Sequence, residues 1–268
     1  MTTPATTLDH FLDGRLTIEQ PARGRHRAGL DALLLAAAVP EDATGVVVDL
    51  GAGVGTAGLA VAARVPGVTV RLAERDPVAV DLAFANAARA ENAAFGARVA
   101  VVAVDLLAAP KAREAVLPRE SADWVICNPP YYAADEVRAS PKEARAAAHV
   151  LAGSLDDWLR VAAATLRPHG RLALIFRGDG LAEILAAVAG RFGAVAVTPI
   201  HPRVDEPAHR LVVRAVKGSR ARAVVLPGLV LHPAADNSYL AEADAVLRGR
   251  CGLGAAVATT RHRTPAAP

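Results

Sequence analysis

Apolar and polar positions along this chain fall into a repeating two-part pattern. Short runs rich in Val, Ile and Leu occur at 45–50 (GVVVDL), 68–74 (VTVRLAE), 97–105 (ARVAVVAVD) and 122–128 (ADWVICN). Three more follow at 171–177 (RLALIFR), 194–200 (AVAVTPI) and 209–216 (HRLVVRAV). Each has the length and the β-branched content of a buried strand. Between them lie segments of helical composition or spacing at 57–65, 76–93, 155–170 and about 180–190. Asp76 followed by Pro77 reads as an N-cap and first helical residue, and Pro168 with Gly170 reads as a stop. Strands that alternate with helices predict an α/β protein with a doubly wound parallel sheet and ligands at the carboxyl ends of the strands.

The pattern contains no internal repeat and no linker. It divides into an N-terminal basic segment and first helix at 1–44, a main domain at 45–260 and a flexible tail at 261–268, with the stretches MTTPATT and TTRHRTPAAP expected to fray. A hydrophobic share of 53% against 21% charged is a globular balance. Aromatic residues make up only 4%, so the adjacent Tyr131 and Tyr132 carry more information than usual. The longest apolar runs are too short to span a bilayer, and MTTPATTLDH lacks the basic start and apolar stretch of a signal peptide, so a cytoplasmic location is expected.

Two cysteines, Cys127 and Cys251, make no disulfide framework and no metal spacing; Cys127 reads as a small buried residue at a strand end, with a catalytic thiol as the alternative. The eight histidines form no ligand cluster, and no metal is expected. Net charge is +3 but uneven: Arg15, Arg23, Arg25, His26 and Arg27 crowd one segment, and Arg203, Arg210, Arg214, Lys217, Arg220 and Arg222 another. Such clusters are either solvated arginine or the footprint of a phosphate backbone.

Candidate chemistry begins at DLGAGVGTAGLA (49–60), between a predicted strand and a predicted helix. Glycines allow a tight turn and close backbone approach, and a helix N-terminus supplies free N–H groups. Residues 53–58 satisfy G-x-G-x-x-G, which leaves a nicotinamide or flavin enzyme open. Acids point elsewhere: Asp49 lies on the strand that leads into Gly51, Gly53 and Gly55, Glu74 ends the second strand and Asp105 the third. A pyrophosphate would be repelled there, whereas Glu74 could accept from ribose hydroxyls and Asp105 from an adenine amine. Three acids at successive strand ends suit a cationic, phosphate-free nucleoside, and S-adenosyl-L-methionine is such a molecule.

These features, with the E-x-D at 74–76 and DWVICNPPYY at 123–132, resemble the class I S-adenosylmethionine-dependent methyltransferases. The resemblance implies a Rossmann-like methyltransferase fold with a mostly parallel seven-stranded sheet whose last strand is antiparallel. Asn128-Pro129-Pro130-Tyr131 is similar to the motif of enzymes that methylate exocyclic or amide nitrogens, with Asn128 also bordering the cofactor. Such a nitrogen is a weak nucleophile because its lone pair is delocalised. The Asn128 side-chain carbonyl and the Pro129 backbone carbonyl would accept its hydrogens and free the lone pair. The prolines hold both acceptors in place beforehand. Tyr131 would stack on the planar group, a contact worth about 1–3 kcal/mol per base.

Family members with this motif act on adenine or cytosine amines, on guanine N2 in ribosomal RNA, or on protein glutamine. Only 48 residues precede Asp49, too few for the helical domain of the glutamine enzymes plus a first helix. DGRLTIEQPARGRHRAGLDALLLAAAV (13–39), ASPKEARAAAH (139–149) and GSRARAVVLPGLVLH (218–232) resemble segments of bacterial tRNA1(Val) (adenine-37-N6)-methyltransferases. By that resemblance residues 27–31 border the methionine end of the cofactor and the basic N-terminal loop contacts tRNA. His26 departs from the aromatic residue frequent there. The expectation is N6-methylation of an adenine in a tRNA anticodon loop, with Arg23, Arg25, Arg27, Arg210 and Arg214 as RNA contacts. Methylation of glutamine, of rRNA guanine N2 or of a small-molecule amine stays open, as does an inactive RNA-binding module. Nothing in the sequence indicates the oligomeric state.

Overall fold

A computed structural model of the chain describes residues 5–22, 29–130 and 153–260. It opens with a hairpin absent from the expected elements: β1 (Thr6–Phe11) and β2 (Leu16–Pro21) pair antiparallel. β1 begins inside the stretch expected to fray. The apolar pattern missed it because TTLDHF is mostly polar, although Asp13-Gly14 is a hairpin-turn dipeptide. The free edge of β2 is satisfied by two fully buried asparagines. Asn92 accepts from Thr17 N (3.0 Å) and donates to Thr17 O (2.7 Å), and Asn86 treats Glu19 in the same way (2.7 and 3.0 Å). Each amide stands in for a strand residue, so neither backbone group is left unpaired in the interior.

All seven expected strands are present: β3 (Gly45–Leu50), β4 (Val68–Glu74), β5 (Val99–Ala103), β6 (Ala122–Cys127), β7 (Leu166–Arg177), β8 (Phe192–His201) and β9 (Arg210–Lys217). With the two-residue strands β10 (Val224–Val225) and β11 (Leu229–Val230) they form one sheet. Its order is β10-β8-β9-β7-β6-β3-β4-β5, with β11 also on β8. β9 runs antiparallel to both β7 and β8, and the remaining pairs are parallel. Only residues 202–209 join β8 to β9, too short a link for a parallel crossover, so the returning strand enters the gap beside β7 head to tail.

The helices are α1 (Leu30–Ala37), α2 (Thr56–Arg64), α3 (Pro77–Ala88), α4 (Ala93–Gly96), α5 (Pro110–Val116), α6 (Leu155–Thr165), α7 (Leu181–Val188), α8 (Ala241–Leu247) and α9 (Leu253–Thr260). The expected helix at 155–170 ends at Thr165, and Pro168 and Gly170 lie in the first half of β7. His169 takes a positive φ of 62°, and the β6–β7 register shifts between Ala122 and Trp124, so these residues form a bulge rather than a helix stop. The expected 76–93 helix is interrupted after Ala88, and a 3-10 turn at Ala90–Asn92 carries the Asn92 clamp.

Side chains of each central strand alternate between two cores. Val47, Ile126, Ala173 and Ile175 pack with α1 and α2; Val48, Val125, Cys127, Leu172 and Leu174 pack with α6 and α7. Buried on both faces, these strands read as the continuous apolar runs seen in the sequence. The side chain of Arg64 is 1% exposed and donates to Ala36 O (2.8 Å), satisfying the C-terminus of α1, while Glu41 stands 3.6 Å away. β3 is the first strand in sequence of the large sheet: β4 and β5 add on one side of it, β6 and β7 on the other. The crevice opens at that reversal, between the carboxyl ends of β3 and β6.

Candidate active site

The register pairs Asp49 with Ile126 and Leu50 with Cys127, which brings the glycine loop of β3 beside Asn128 at the end of β6. Gly51, Gly53 and Gly55 have φ of 68°, 56° and 91°, in the left-handed region where a side chain is strained. Gly51 is also constrained sterically, since a Cβ there would lie 2.4 Å from the Trp158 ring. Its loop is tied to β4 by Gly51 N and Ala52 N, both donating to Ala73 O (2.8 and 3.1 Å).

The acids expected to hold a cofactor also hold the loop. Asp49 is 2% exposed and accepts from Gly58 N (2.9 Å) in the first turn of α2. Burial, opposed by that hydrogen bond and reinforced by the charge of Glu74, pushes its carboxyl up to about 7. Glu74 accepts from Gly53 N (2.8 Å), Arg75 N (2.8 Å) and Asp76 N (2.9 Å), and Asp76 caps α3 through Val78 N (3.0 Å). Asp105 differs from expectation in one respect: β5 stops at Ala103, and the acid lies two residues beyond, exposed, accepting from Leu107 N (2.9 Å).

Two adjoining hollows meet at Gly51, Glu74 and Pro130. The smaller, about 200 Å³, is walled by Arg75, Val104, Asp105, Leu106 and Trp158. The larger, about 970 Å³, extends from Asp49 and the glycine loop past Asn128 and Pro129 to Asp31, His209 and Arg210. Five acids line it (Asp31, Asp49, Glu74, Asp76 and Asp179) against two arginines, Arg177 and Arg210. Both arginines are paired: Arg210 with Asp31 (2.9 Å), Arg177 with Asp179 (2.9 Å) and Glu183 (3.1 Å).

Asn128 Oδ1 is buried and has no hydrogen-bond partner among the described residues. A buried carbonyl in that condition is costly unless something donates to it. Cys127, directly before it, is fully buried, and burial pushes its thiol far up, the setting of an inert structural cysteine rather than of a thiolate nucleophile. Pro129 and Pro130 follow at the cavity wall; Tyr131, Arg23, Arg25 and Arg27 lie outside the described residues. Arg210 lines the large cavity, whereas Arg214 sits four residues further down β9, opposite Ala173, and lines neither hollow. Asp31, the last residue of the 27–31 segment expected at the cofactor, lines the larger cavity, whereas the sequence reading missed Trp158, Arg177 and His209 as wall residues. Trp158 alone left a trace there, as one of only two tryptophans in the chain.

The loop is poor in free donors for a dinucleotide. The pyrophosphate would need the N–H groups at the start of α2, and Gly53 N and Gly58 N already donate to Glu74 and Asp49. A cation does fit, beside a buried carboxyl that ionises readily when given a counter-charge.

The profile of the methyltransferase small domain family matches residues 26–199. The chain belongs to that family. It is 30% identical over 215 residues to a protein named tRNA1(Val) (adenine(37)-N6)-methyltransferase from Porphyromonas gingivalis strain W83, covering 78% of this chain and 82% of that protein. A protein of the same name from P. gingivalis strain ATCC 33277 is 29% identical, covering 84% and 89%. Among solved structures, a predicted O-methyltransferase, Atu636 from Agrobacterium tumefaciens, is 39% identical with a TM-score of 0.72, covering 83% of this chain and 97% of that one. M. jannaschii TYW2, solved with AdoMet, shares the fold at a TM-score of 0.51 and 14% identity, covering 81% and 88%. This member of the methyltransferase small domain family is thus a methyltransferase with a Rossmann-like sheet. Among the described residues no helix is long and apolar enough to cross a membrane, and no group of three His, Cys, Asp or Glu is arranged to hold a metal.

Proposed function

We propose that this methyltransferase uses S-adenosyl-L-methionine to methylate the N6 amine of an adenine in tRNA, in the anticodon loop. The observation that carries the reading is the buried Asn128 Oδ1, without a partner among the described residues, at the wall of an acid-lined cavity. The two P. gingivalis relatives bear the name of that activity. An anticodon-loop base is already partly unpaired, so placing it in a pocket costs less than extrusion from a duplex.

Asp49 would face the positive charge of the cofactor, Glu74 its ribose, and Asp105 with Trp158 its base in the smaller hollow. When bound, the cofactor supplies an electrophilic methyl group on a sulfonium. Asn128 Oδ1 and the Pro129 carbonyl accept the two amine hydrogens and draw the nitrogen toward a tetrahedral form. Both acceptors are set before the substrate arrives, so no reorganisation is needed as charge develops on nitrogen. Once the new N–C bond has formed, one of those hydrogens becomes acidic and leaves to solvent. Tyr131 would stack on the base, and the basic residues Arg23, Arg25, Arg27, Arg210 and Arg214 would meet RNA.

One observation favours a second reading, O-methylation, the activity named for the A. tumefaciens relative. His209 Nδ1 is buried in the same cavity wall without a partner among the described residues, and burial lowers its pKa, so a neutral base is present. Mass spectrometry of nucleosides from tRNA incubated with enzyme and cofactor separates the two. N6-methyladenosine that disappears with Asn128→Ala supports the first reading. A ribose-methylated product that disappears with His209→Ala supports the second, and methyl groups in protein alone defeat both.

A further inference from the structure

Among the described residues the cavity has no spare guanidinium. Its two arginines are paired, and its acids outnumber them. The paired state is general: Arg75, Arg89, Arg113, Arg119, Arg160, Arg167, Arg191, Arg203, Arg248 and Arg250 each stand within 4 Å of a carboxylate. Arg15 and Arg98 are bound to backbone carbonyls instead. Among the described residues, the arginines with neither kind of partner are Arg71, Arg171, Arg214, Arg220 and Arg222.

Four of these five cluster in one part of the sheet. Arg214 on β9 lies between Ala173 of β7 and Ala196 of β8, small residues that leave room for its guanidinium. It is half-buried, and desolvation followed by the charge of Arg171 lowers its pKa, an arrangement that costs energy unless an anion compensates it. Arg171, two residues along β7 from Ala173 on the same face, is exposed and sits 5.4 Å over the Trp124 ring. Across β8, Ala196 pairs with Val224 of β10, and exposed Arg222 and Arg220 lead into that edge strand. None of the four lines either hollow. Unpaired among the described residues and spread along neighbouring strands rather than gathered in a pocket, these guanidiniums match charges repeated along a polymer better than one small anion.

From this we propose that Arg171, Arg214, Arg220 and Arg222 form a phosphodiester-binding surface for the body of a folded RNA, separate from the cavity that takes the base. The proposal rests on RNA being the substrate, as inferred above, and adds that recognition extends beyond the loop bearing the target. A full tRNA should therefore bind more tightly than its isolated anticodon stem-loop, and the excess should reside in these arginines.

The test measures anisotropy of a labelled full-length tRNA transcript and of its anticodon stem-loop at several salt concentrations. It compares the wild type with Arg171→Glu/Arg222→Glu, two exposed positions, and with Arg214→Gln. Calorimetric cofactor affinity serves as the check on folding. We expect the double variant to weaken full-length tRNA binding at least tenfold. The slope of log K against log salt should fall by about 2, one for each cation removed, with a much smaller change for the stem-loop. Unchanged tRNA affinity and slope in a variant that still binds cofactor overturn the surface, even if tRNA is methylated. A wild type that binds tRNA through these arginines yet methylates no adenine keeps the surface and removes the proposed reaction. A wild type that binds no tRNA removes both.

Discussion

The cavity at the carboxyl ends of the strands and the arginine face on β7–β9 belong to one sheet but treat charge in opposite ways. In the cavity, acids exceed bases, Arg177 and Arg210 are neutralised, and the deepest acid, Asp49, is buried with its carboxyl pushed up to about 7. On the face, Arg171 and Arg214 stand together, neither paired with a carboxylate among the described residues. A net charge of +3 conceals this division. What matters for ligands is the sign left over locally after pairing. The cavity retains negative charge suited to a cation, and the face retains positive charge suited to a polyanion.

The largest effect should come from the neutral acceptor between these extremes. Asn128→Ala is expected to slow methyl transfer about 10²–10³-fold, the range for loss of one preorganised transition-state dipole. Single-turnover rates should fall by that amount while calorimetric cofactor affinity changes little. An affinity loss as large as the rate loss would mean that Asn128 holds the cofactor rather than the amine.

Next comes Asp49. Below about pH 7 it carries a proton and offers a cation no charge, so cofactor affinity should fall on acidification by up to about tenfold per unit. Asp49→Asn should weaken binding at pH 8 and flatten this dependence. Stability has the opposite sign. Its carboxyl ionises near the ordinary value of 3.8 in the unfolded chain but only near 7 in the fold, so between those values the fold binds more protons. The cofactor-free protein should therefore lose stability as pH rises from about 4 to about 7, by up to about 1.4 kcal/mol per unit. With Asp49→Asn, this contribution to the slope should vanish from the urea midpoints.

Gly58→Ala tests whether the cavity depends on the fit between α2 and β4. Its Cβ would stand 2.3 Å from Leu72 Cδ2 and 3.1 Å from Asp49 Oδ2. A cost of about 1–3 kcal/mol is expected in denaturant unfolding, together with weaker cofactor binding. The smallest effect belongs to Arg71 on β4, also unpaired among the described residues but outside the β7–β9 cluster. Arg71→Gln should alter tRNA affinity less than about twofold in anisotropy, and a loss as large as that of the double variant would show that unpaired arginine anywhere on the sheet binds RNA.

Much of this site was legible before the fold was known. Asp49, the glycines, Glu74 and Asn128-Pro129-Pro130 lie at strand ends, where sequence spacing and sheet topology coincide. The residues and contacts that were missed share a physical reason. Asp31 meets Arg210 across 179 positions, a contact with no local pattern. Trp158 reads as a core residue of an amphipathic helix until its ring is found against Gly51. The hairpin of β1 and β2 depends on Asn86 and Asn92, which lie 67 and 75 positions from their partners and are polar, so no apolar period could announce it.

The sequence by itself determined the alternation of strands and helices, the acid before each turn and the rigid acceptor motif, because these follow from periodicity and local backbone restriction. Tertiary structure alone decided which charges survive pairing. Carboxylates and guanidiniums neutralise one another through space, across strands and helices that periodicity does not connect, and the arginines of one basic stretch thereby divide between a paired cavity wall and an unpaired face.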